Sequence, residues 1–223
     1  MRAVDCFCAS GGLTCGLKAA GVDVAMGIDV DRAALKLYRA RHAHPAIELD
    51  LSDVSSAVQA IREVGPIDLL AGSPPCTDFS SAGHREERTR VAGLTVDFAR
   101  IAVSLRVPCV LLENVPELLR SQAWAEARDV LVGGGYSLIV LRVNAAACEV
   151  AQIRRRVFVI AMLNCNTRRH FVVLRKRRLS STALQLMLPL SEAAWTRTPT
   201  LTFTMREIAT ARVCEAWTSL HRR

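Results

Sequence analysis

Several absences narrow the reading of this 223-residue chain before any motif does. No stretch approaches the roughly 18–20 consecutive apolar residues that a membrane span needs, so no membrane partner is expected. The opening Met1-Arg2-Ala3-Val4-Asp5 holds no apolar signal-peptide core, because Asp5 and the glycines that follow interrupt it. A cytoplasmic protein is expected. The eight cysteines include no Cys-x-x-Cys pair and no clustered histidine partners, which argues against a structural zinc site and for reduced thiols; no metal is expected. Acid is scarce at one end: residues 164–223 hold 11 basic and 3 acidic side chains, whereas residues 1–163 hold 18 of each. The net charge of +8 therefore sits entirely in the last segment. A basic segment on a neutral domain points to a polyanionic partner, most simply nucleic acid.

The pattern is that of an α/β protein. Apolar runs end in glycine, proline or a carboxylate and alternate with amphipathic stretches, which predicts a mostly parallel, doubly wound sheet covered by helices. Ala3–Cys8 reads as a strand and Ala9-Ser10-Gly11-Gly12 as a tight turn. Leu13–Ala20 then reads as a helix ending at Gly21. A strand, a glycine turn and a helix N-terminus leave backbone N–H groups free for an anionic group. A second strand, Asp23–Ile28, ends in Asp29-Val30-Asp31, where nucleotide-binding α/β folds place the carboxylate that grips a ribose. Asp29 is the candidate ligand. Asp31 can cap the helix 32–41, whose Ala33, Leu37 and Ala40 share a face, and both acids serving only as caps is the alternative. A third strand ends at Asp50-Leu51, and Ser52 or Asp53 caps a helix through Glu63 with Val54, Val58 and Ile61 inward.

The centre of the chain is Gly72-Ser73-Pro74-Pro75-Cys76. It follows the apolar strand Ile67–Ala71, and two prolines stiffen its turn, which holds Cys76 at the mouth of the sheet. Residues 84–92 are too charged to bury and read as a mobile loop behind the thiol, followed by a helix over 93–106. Another apolar strand, Pro108–Leu112, runs into Glu113-Asn114-Val115-Pro116. A carboxylate at the end of such a strand is unusual, because burying it charged is costly; Glu113 is thus a candidate proton donor near neutral pH. A helix is expected over 116–132 and strands over 136–143 and 157–161. Gln152-Ile153-Arg154-Arg155-Arg156 precedes the latter, with Arg154 and Arg156 on one side of an extended chain.

Taken together, these residues resemble the cytosine-5 DNA methyltransferases over roughly residues 3–162, in the order of that family's motifs. Asp5-Cys6-Phe7-Cys8-Ala9-Ser10-Gly11-Gly12-Leu13 is similar to the first motif, Ser73-Pro74-Pro75-Cys76 to the nucleophile loop, Glu113-Asn114-Val115 to the acidic motif and Gln152-x-Arg154-x-Arg156 to the arginine motif. The resemblance implies a Rossmann-like fold that binds S-adenosylmethionine through Asp5, Phe7, Gly11, Gly12, Leu13, Asp29, Val30, Asp50, Leu51 and Pro74. It implies catalysis by Cys76, Glu113, Arg154 and Arg156, with Ser73, Pro75, Asn114 and Gln152 against a cytosine flipped from double-stranded DNA.

The chain also departs from the family. Ala9 stands where glycine is usual, and Glu149 and Ala151 replace glycine and proline. Beyond Leu163 the family carries a large recognition region and two closing motifs, whereas here sixty residues remain. Thr200–Ala209 resembles the ninth motif and no Gly-Asn segment of the tenth follows. A truncated, split or decayed enzyme is therefore expected, organised as a catalytic domain 1–163 and a basic segment 164–223, with a second chain supplying recognition in the split case. A tRNA cytosine-5 methyltransferase and a catalytically silent fragment binding DNA through its basic tail are the alternatives.

Overall fold

Strand and helix follow each other along the chain because each apolar run is closed by a residue that cannot continue it. In a computed structural model of the protein, residues 1–75, 90–148, 152–164 and 185–187 are described. The first half alternates β1 (Arg2–Cys6), α1 (Gly12–Ala19), β2 (Asp23–Asp29), α2 (Arg32–Arg41), β3 (Ala46–Glu48), α3 (Val54–Glu63) and β4 (Leu69–Gly72). After α4 (Arg90–Leu105) come β5 (Cys109–Asn114), α5 (Gln122–Gly133), β6 (Tyr136–Asn144), β7 (Arg155–Leu163) and β8 (Gln185–Met187). Among the described residues these strands form one sheet in the order β3-β2-β1-β4-β5-β7-β6-β8. Strands β3 to β5 pair in parallel, while β7 runs antiparallel to both β5 and β6. The mostly parallel sheet inferred from sequence is present, with β7 inserted in reverse between β5 and β6 and β8 reversed at the edge.

The main core lies on one face, where Ala57, Val58 and Ile61 of α3, Phe98 and Ile101 of α4 and Ala127 and Leu131 of α5 pack against Leu70, Val110 and Leu112. Strand β5 alternates half-buried and buried residues, so Val110, Leu112 and Asn114 face these helices and Cys109, Leu111 and Glu113 the other side. Helix α1 covers that other side over β1, β2 and β4, through Leu17 against Ala3, Val24, Leu69 and Ala71.

Caps set the helix starts. Asp31 accepts from the N–H groups of Ala33 and Ala34 at 2.8 and 3.1 Å, and Asp53 accepts from Ser56 at 3.1 Å; such caps contribute about 1 kcal/mol each. Two sequence expectations are corrected. Helix α2 turns Leu35 and Tyr38 inward, and Leu37 is 52% exposed, because the void it fills lies over Gly27 and Cys8 and needs an aromatic ring. The helix expected over 116–132 is broken: a 3-10 turn (Pro116–Arg120) ends at Ser121, whose hydroxyl accepts from Trp124 N–H at 3.1 Å and starts α5 afresh.

A bulge marks the first strand pair. Ala3 pairs with Val24 but Val4 pairs with Met26, so Ala25 is an extra residue in β2. Beyond it Met26 and Ile28 join the main core, and Gly27 faces Tyr38, where an added Cβ would stand 2.7 Å from the hydroxyl.

Candidate active site

All parallel strands end on the same edge, and the candidate residues collect there. At the end of β1 the chain makes a turn in which Gly11 N–H donates to the Cys8 carbonyl at 2.8 Å. Phe7 and Ala9 take positive φ of 56° and 44°, and Gly11 takes 93°. Gly11 is needed on two counts: its φ favours glycine, and a Cβ there would collide with the imidazole of His42. Ala9 adopts the same left-handed region with a side chain, at a cost of about 1–2 kcal/mol. Its N–H donates to Asp29 Oδ2 at 2.8 Å, and Asp29 Oδ1 accepts from Asp31 N–H at 2.9 Å. Asp29 thus ties the turn to the end of β2 and is still only partly covered. Asp50 accepts from both the N–H and the hydroxyl of Ser52, at 3.0 and 2.8 Å. Val30 is 62% exposed at the rim, and Leu51 is buried.

The turn forms one wall of a cavity of about 830 Å3, lined there by Phe7, Ala9, Ser10, Gly12 and Leu13. The facing wall carries Ser73, Glu113, Arg154 and Phe158. Glu113 and Arg156 make an ion pair, Nε to Oε1 at 2.8 Å, with both side chains 21% exposed. The pairing follows from register: Glu113 stands opposite Phe158, and Arg156, two residues away, shares that face. Glu113 is therefore not sealed beyond an apolar strand but held by a counterion. Arg154, expected beside Arg156, lies just before β7, exposed and on the cavity wall; Gln152 is exposed.

Asn114 departs from its expected place against the base. Its side chain points into the core face and is 2% exposed. There Nδ2 donates to the Pro74 carbonyl at 3.1 Å while Oδ1 accepts from Val115 N–H at 2.8 Å. It joins the root of the Cys76 loop to the end of β5. Pro75 is the last described residue on that side; Cys76 and the loop 77–89 lie outside the described residues.

Asp5 is also displaced from its expected role. It is 0% exposed and does not line the cavity; it lies beneath the turn, where Thr14 Oγ1 donates to its Oδ2 at 2.6 Å. Burial pushes its carboxyl up to about 7. Burial also raises the thiols of Cys6 and Cys8, which suits inert, packed sulfur. None of the described cysteines forms a disulfide. Sequence reasoning missed Thr14, Tyr38, His42 and His44, which support the turn from below. Their signal was the spacing of Tyr38 on α2 and His42 just past its end, four residues apart.

A family model for C-5 cytosine-specific DNA methylase matches residues 1–215. The chain belongs to that family. Type II methyltransferase M.HgiDI of Herpetosiphon aurantiacus is 39% identical to this methylase-family chain over 160 residues, which is 72% of this chain and 52% of that protein. Type II methyltransferase M.HgiGI of the same organism is 37% identical over 127 residues, 57% of this chain and 100% of that one. The chain spans about half the length of M.HgiDI and of M.HindV of Haemophilus influenzae, at 52% and 54%. Among solved structures, a putative DNA modification methyltransferase of an E. coli prophage superposes with a TM-score of 0.63 at 26% identity, covering 73% of this chain and 47% of that one. The fold also matches the S. pombe Dnmt2 methyltransferase, with a TM-score of 0.60 at 24% identity and 74% and 52% coverage. Among the described residues, no helix is long and apolar enough to cross a membrane. No described cluster of three or more His, Cys, Asp or Glu is placed to hold a metal ion.

Proposed function

We propose that this chain is a DNA (cytosine-5-)methyltransferase, with a catalytic domain over residues 1–163 and a DNA-contacting basic segment over 164–223. The observation that carries the reading is that Glu113, paired to Arg156, opens into the same cavity as the Phe7–Leu13 turn, beside the anchored root of the Cys76 loop. The cavity volume lies within the ~300–1,000 Å3 of small-molecule sites. The turn fits the methionine end of S-adenosylmethionine, with N–H groups at the start of α1 and around Gly12 for the carboxylate; Asp29 for the ribose and Asp50 with Val30 for the adenine lie outside the cavity lining, at or just past the ends of β2 and β3. Bound there, this cofactor supplies an electrophilic methyl group.

The chain's own groups do the rest. C5 of cytosine is too weak a nucleophile until the ring loses its aromaticity. The thiolate of Cys76 adds at C6, forming a C–S bond and moving electron density toward N3 and C5. Glu113, having taken up a proton, donates it at N3 as that charge arrives, and Arg156 keeps the carboxyl aimed while Arg154 meets O2 or a phosphate. After C5 gains its methyl group, loss of the C5 proton expels Cys76 and restores the ring. A base inside a duplex exposes neither edge, so the cytosine is flipped out to reach the cavity.

The test is a covalent trap. DNA carrying 5-fluorocytosine in candidate sites, incubated with the chain and S-adenosylmethionine, is expected to give a denaturation-resistant adduct that Cys76→Ser abolishes. Salt-sensitive DNA binding with no adduct would instead identify a silent binder. Adduct formation on tRNA alone would reassign the substrate, and adduct formation only after adding a second polypeptide would identify a split enzyme.

A further inference from the structure

Beneath the turn that opens the cavity runs a chain of hydrogen bonds that the proposed chemistry leaves unused. Thr14 Oγ1 is 2.6 Å from Asp5 Oδ2 and 2.8 Å from the Tyr38 hydroxyl, which in turn lies 2.7 Å from His44 Nε2. The inner end is sealed: Asp5, Thr14 and Tyr38 are all 0% exposed, and Asp5 Oδ1 has no hydrogen-bond partner. The outer end, His44, is half-buried and stacks on His42 with ring centres 5.5 Å apart. Links come from β1, α1, α2 and the connection into β3, so the chain of bonds crosses the entire support of the turn.

Each hydroxyl in the chain both donates and accepts, which leaves two consistent polarities. With Asp5 ionised, Thr14 donates to the carboxylate, Tyr38 donates to Thr14 and His44 Nε2–H donates to Tyr38. With Asp5 protonated at Oδ2 every bond reverses, and His44 Nε2 accepts with its ring proton on Nδ1. Passing from the second state to the first takes a proton off Asp5 and delivers one to His44 Nε2, and the imidazolium so formed releases its Nδ1 proton to solvent. No intermediate link gains a net charge.

We propose that Thr14, Tyr38 and His44 are positioning residues for the cofactor turn, a hydrogen-bonded proton relay whose polarity couples the charge of Asp5 to the protein surface. The proposal rests on reading the Phe7–Leu13 turn as the cofactor site. Asp5 lies two residues before Phe7 and faces Asp29, the carboxylate that holds Ala9 N–H. Ionising Asp5 therefore sets a second negative charge against that anchor, which favours a ligand bearing cationic groups such as a sulfonium and an ammonium. Its carboxyl, pushed by burial up to about 7, titrates in the range where a histidine can exchange protons with it. The remaining charged or titratable neighbours are Cys6 and Cys8 on the β1 side and Cys15 and Lys18 on α1. Arg39 and His42 on α2 and Asp23 on β2 complete the surroundings. Desolvation, Lys18 and His42 all lower the His44 pKa, so the ring remains able to accept.

The experiment uses the full chain, Tyr38→Phe, which keeps the ring that fills the space over Gly27, and His44→Gln. S-adenosylmethionine is titrated by calorimetry between pH 6 and 8.5 in two buffers of different ionisation enthalpy, and thermal unfolding of the unliganded proteins is followed over the same range. The unsubstituted chain is expected to bind more tightly as pH rises through about 7, by at most roughly tenfold per pH unit, with proton release. Both variants are expected to shift the pH at which affinity rises and protons are released. Variants that keep the parent profile overturn the relay. If the parent binds no S-adenosylmethionine at any pH, the cofactor reading fails and the unfolding curves decide. The relay then requires Tyr38→Phe and His44→Gln to shift the pH at which stability falls, and superimposable curves overturn it. Should Tyr38→Phe not fold, His44→Gln carries the same comparison alone.

Discussion

Where β1 meets α1 and α2, the cavity wall rests on buried, interlocked supports: an aromatic ring over Gly27, an imidazole against Gly11, and a carboxylate reached only through two hydroxyls. Where β4 and β5 end and β7 begins, the opposite wall depends on one partly exposed ion pair and one amide hydrogen bond. The first wall is a prebuilt mould for a molecule of fixed shape. On the proposed chemistry the second must admit a base from outside and change partners during the reaction, and groups that exchange partners cannot be sealed. Rigidity and accessibility are divided between the two walls.

If that division holds, the two walls respond differently to substitution, and the largest response is expected at the accessible one. Glu113→Gln keeps the shape and removes the charge paired with Arg156. Methyl transfer to cytosine DNA, measured with radiolabelled cofactor, should fall by about 10²–10⁴-fold, while the calorimetric affinity for S-adenosylmethionine changes little. Parallel loss of both would erase the distinction.

Under the opposite wall, Asp5 gives a pH signature. The folded chain keeps this proton up to about pH 7, whereas the unfolded chain releases it near 3.8. Between those values the folded state binds more protons, so this group's contribution to stability is full below about pH 4 and is lost as pH rises toward and through 7. Asp5→Asn should remove that decline, by a few kcal/mol at the alkaline end, in urea unfolding followed from pH 4 to 8. An unchanged slope would show that the carboxyl is not held protonated.

Asn114→Leu sharpens the comparison at the hinge of the second wall. It leaves the Pro74 carbonyl and the Val115 N–H without their partners, at about 1–3 kcal/mol of stability. Adduct formation should drop more than cofactor affinity does. The smallest effect is expected at Ala9, whose φ of 44° carries a side chain in the left-handed region. Ala9→Gly relieves that strain but adds chain entropy to the unfolded state, for a net gain of about 0.5–1 kcal/mol. Its cofactor binding should be equal or tighter, and a loss of stability would mean that the methyl group packs usefully.

Much of the second wall was legible in the sequence, because its residues sit where apolar strands end: Ser73 after Ala71, Glu113 after Leu112, Arg156 before Val157. Strand ends converge on one edge of a parallel sheet, and that placed the candidates together before any coordinates. The first wall was legible only in outline. The ring of Tyr38 meets Thr14 across 24 residues and Thr14 meets Asp5 across nine, and no local periodicity encodes such pairs. The inward face of α2 was misread for that reason, since Ala33, Leu37 and Ala40 are evenly spaced but the space to be filled is aromatic in shape. Asn114 was misassigned because a polar residue next to a candidate acid suggests the cavity, whereas strand alternation turns it to the opposite face. The break at Ser121 was present as a capping residue and was overridden by the apolar pattern around it.

The extra residue in β2 has a consequence for how this half of the molecule tolerates change. Ala25 works as a phase shifter: upstream of it one set of side chains looks toward α1, and downstream the parity is exchanged, so that a glycine rather than a methionine meets the phenol ring. Deleting that one small alanine would place Met26 directly after Val24 and leave Met26, Gly27 and Asp29 on the faces they occupy now, because a regular strand alternates. Excising Met26 instead, with Ala25 left to pair in its place, would keep the strand's later residues on their faces, so the spare alanine buffers this wall against a one-residue loss.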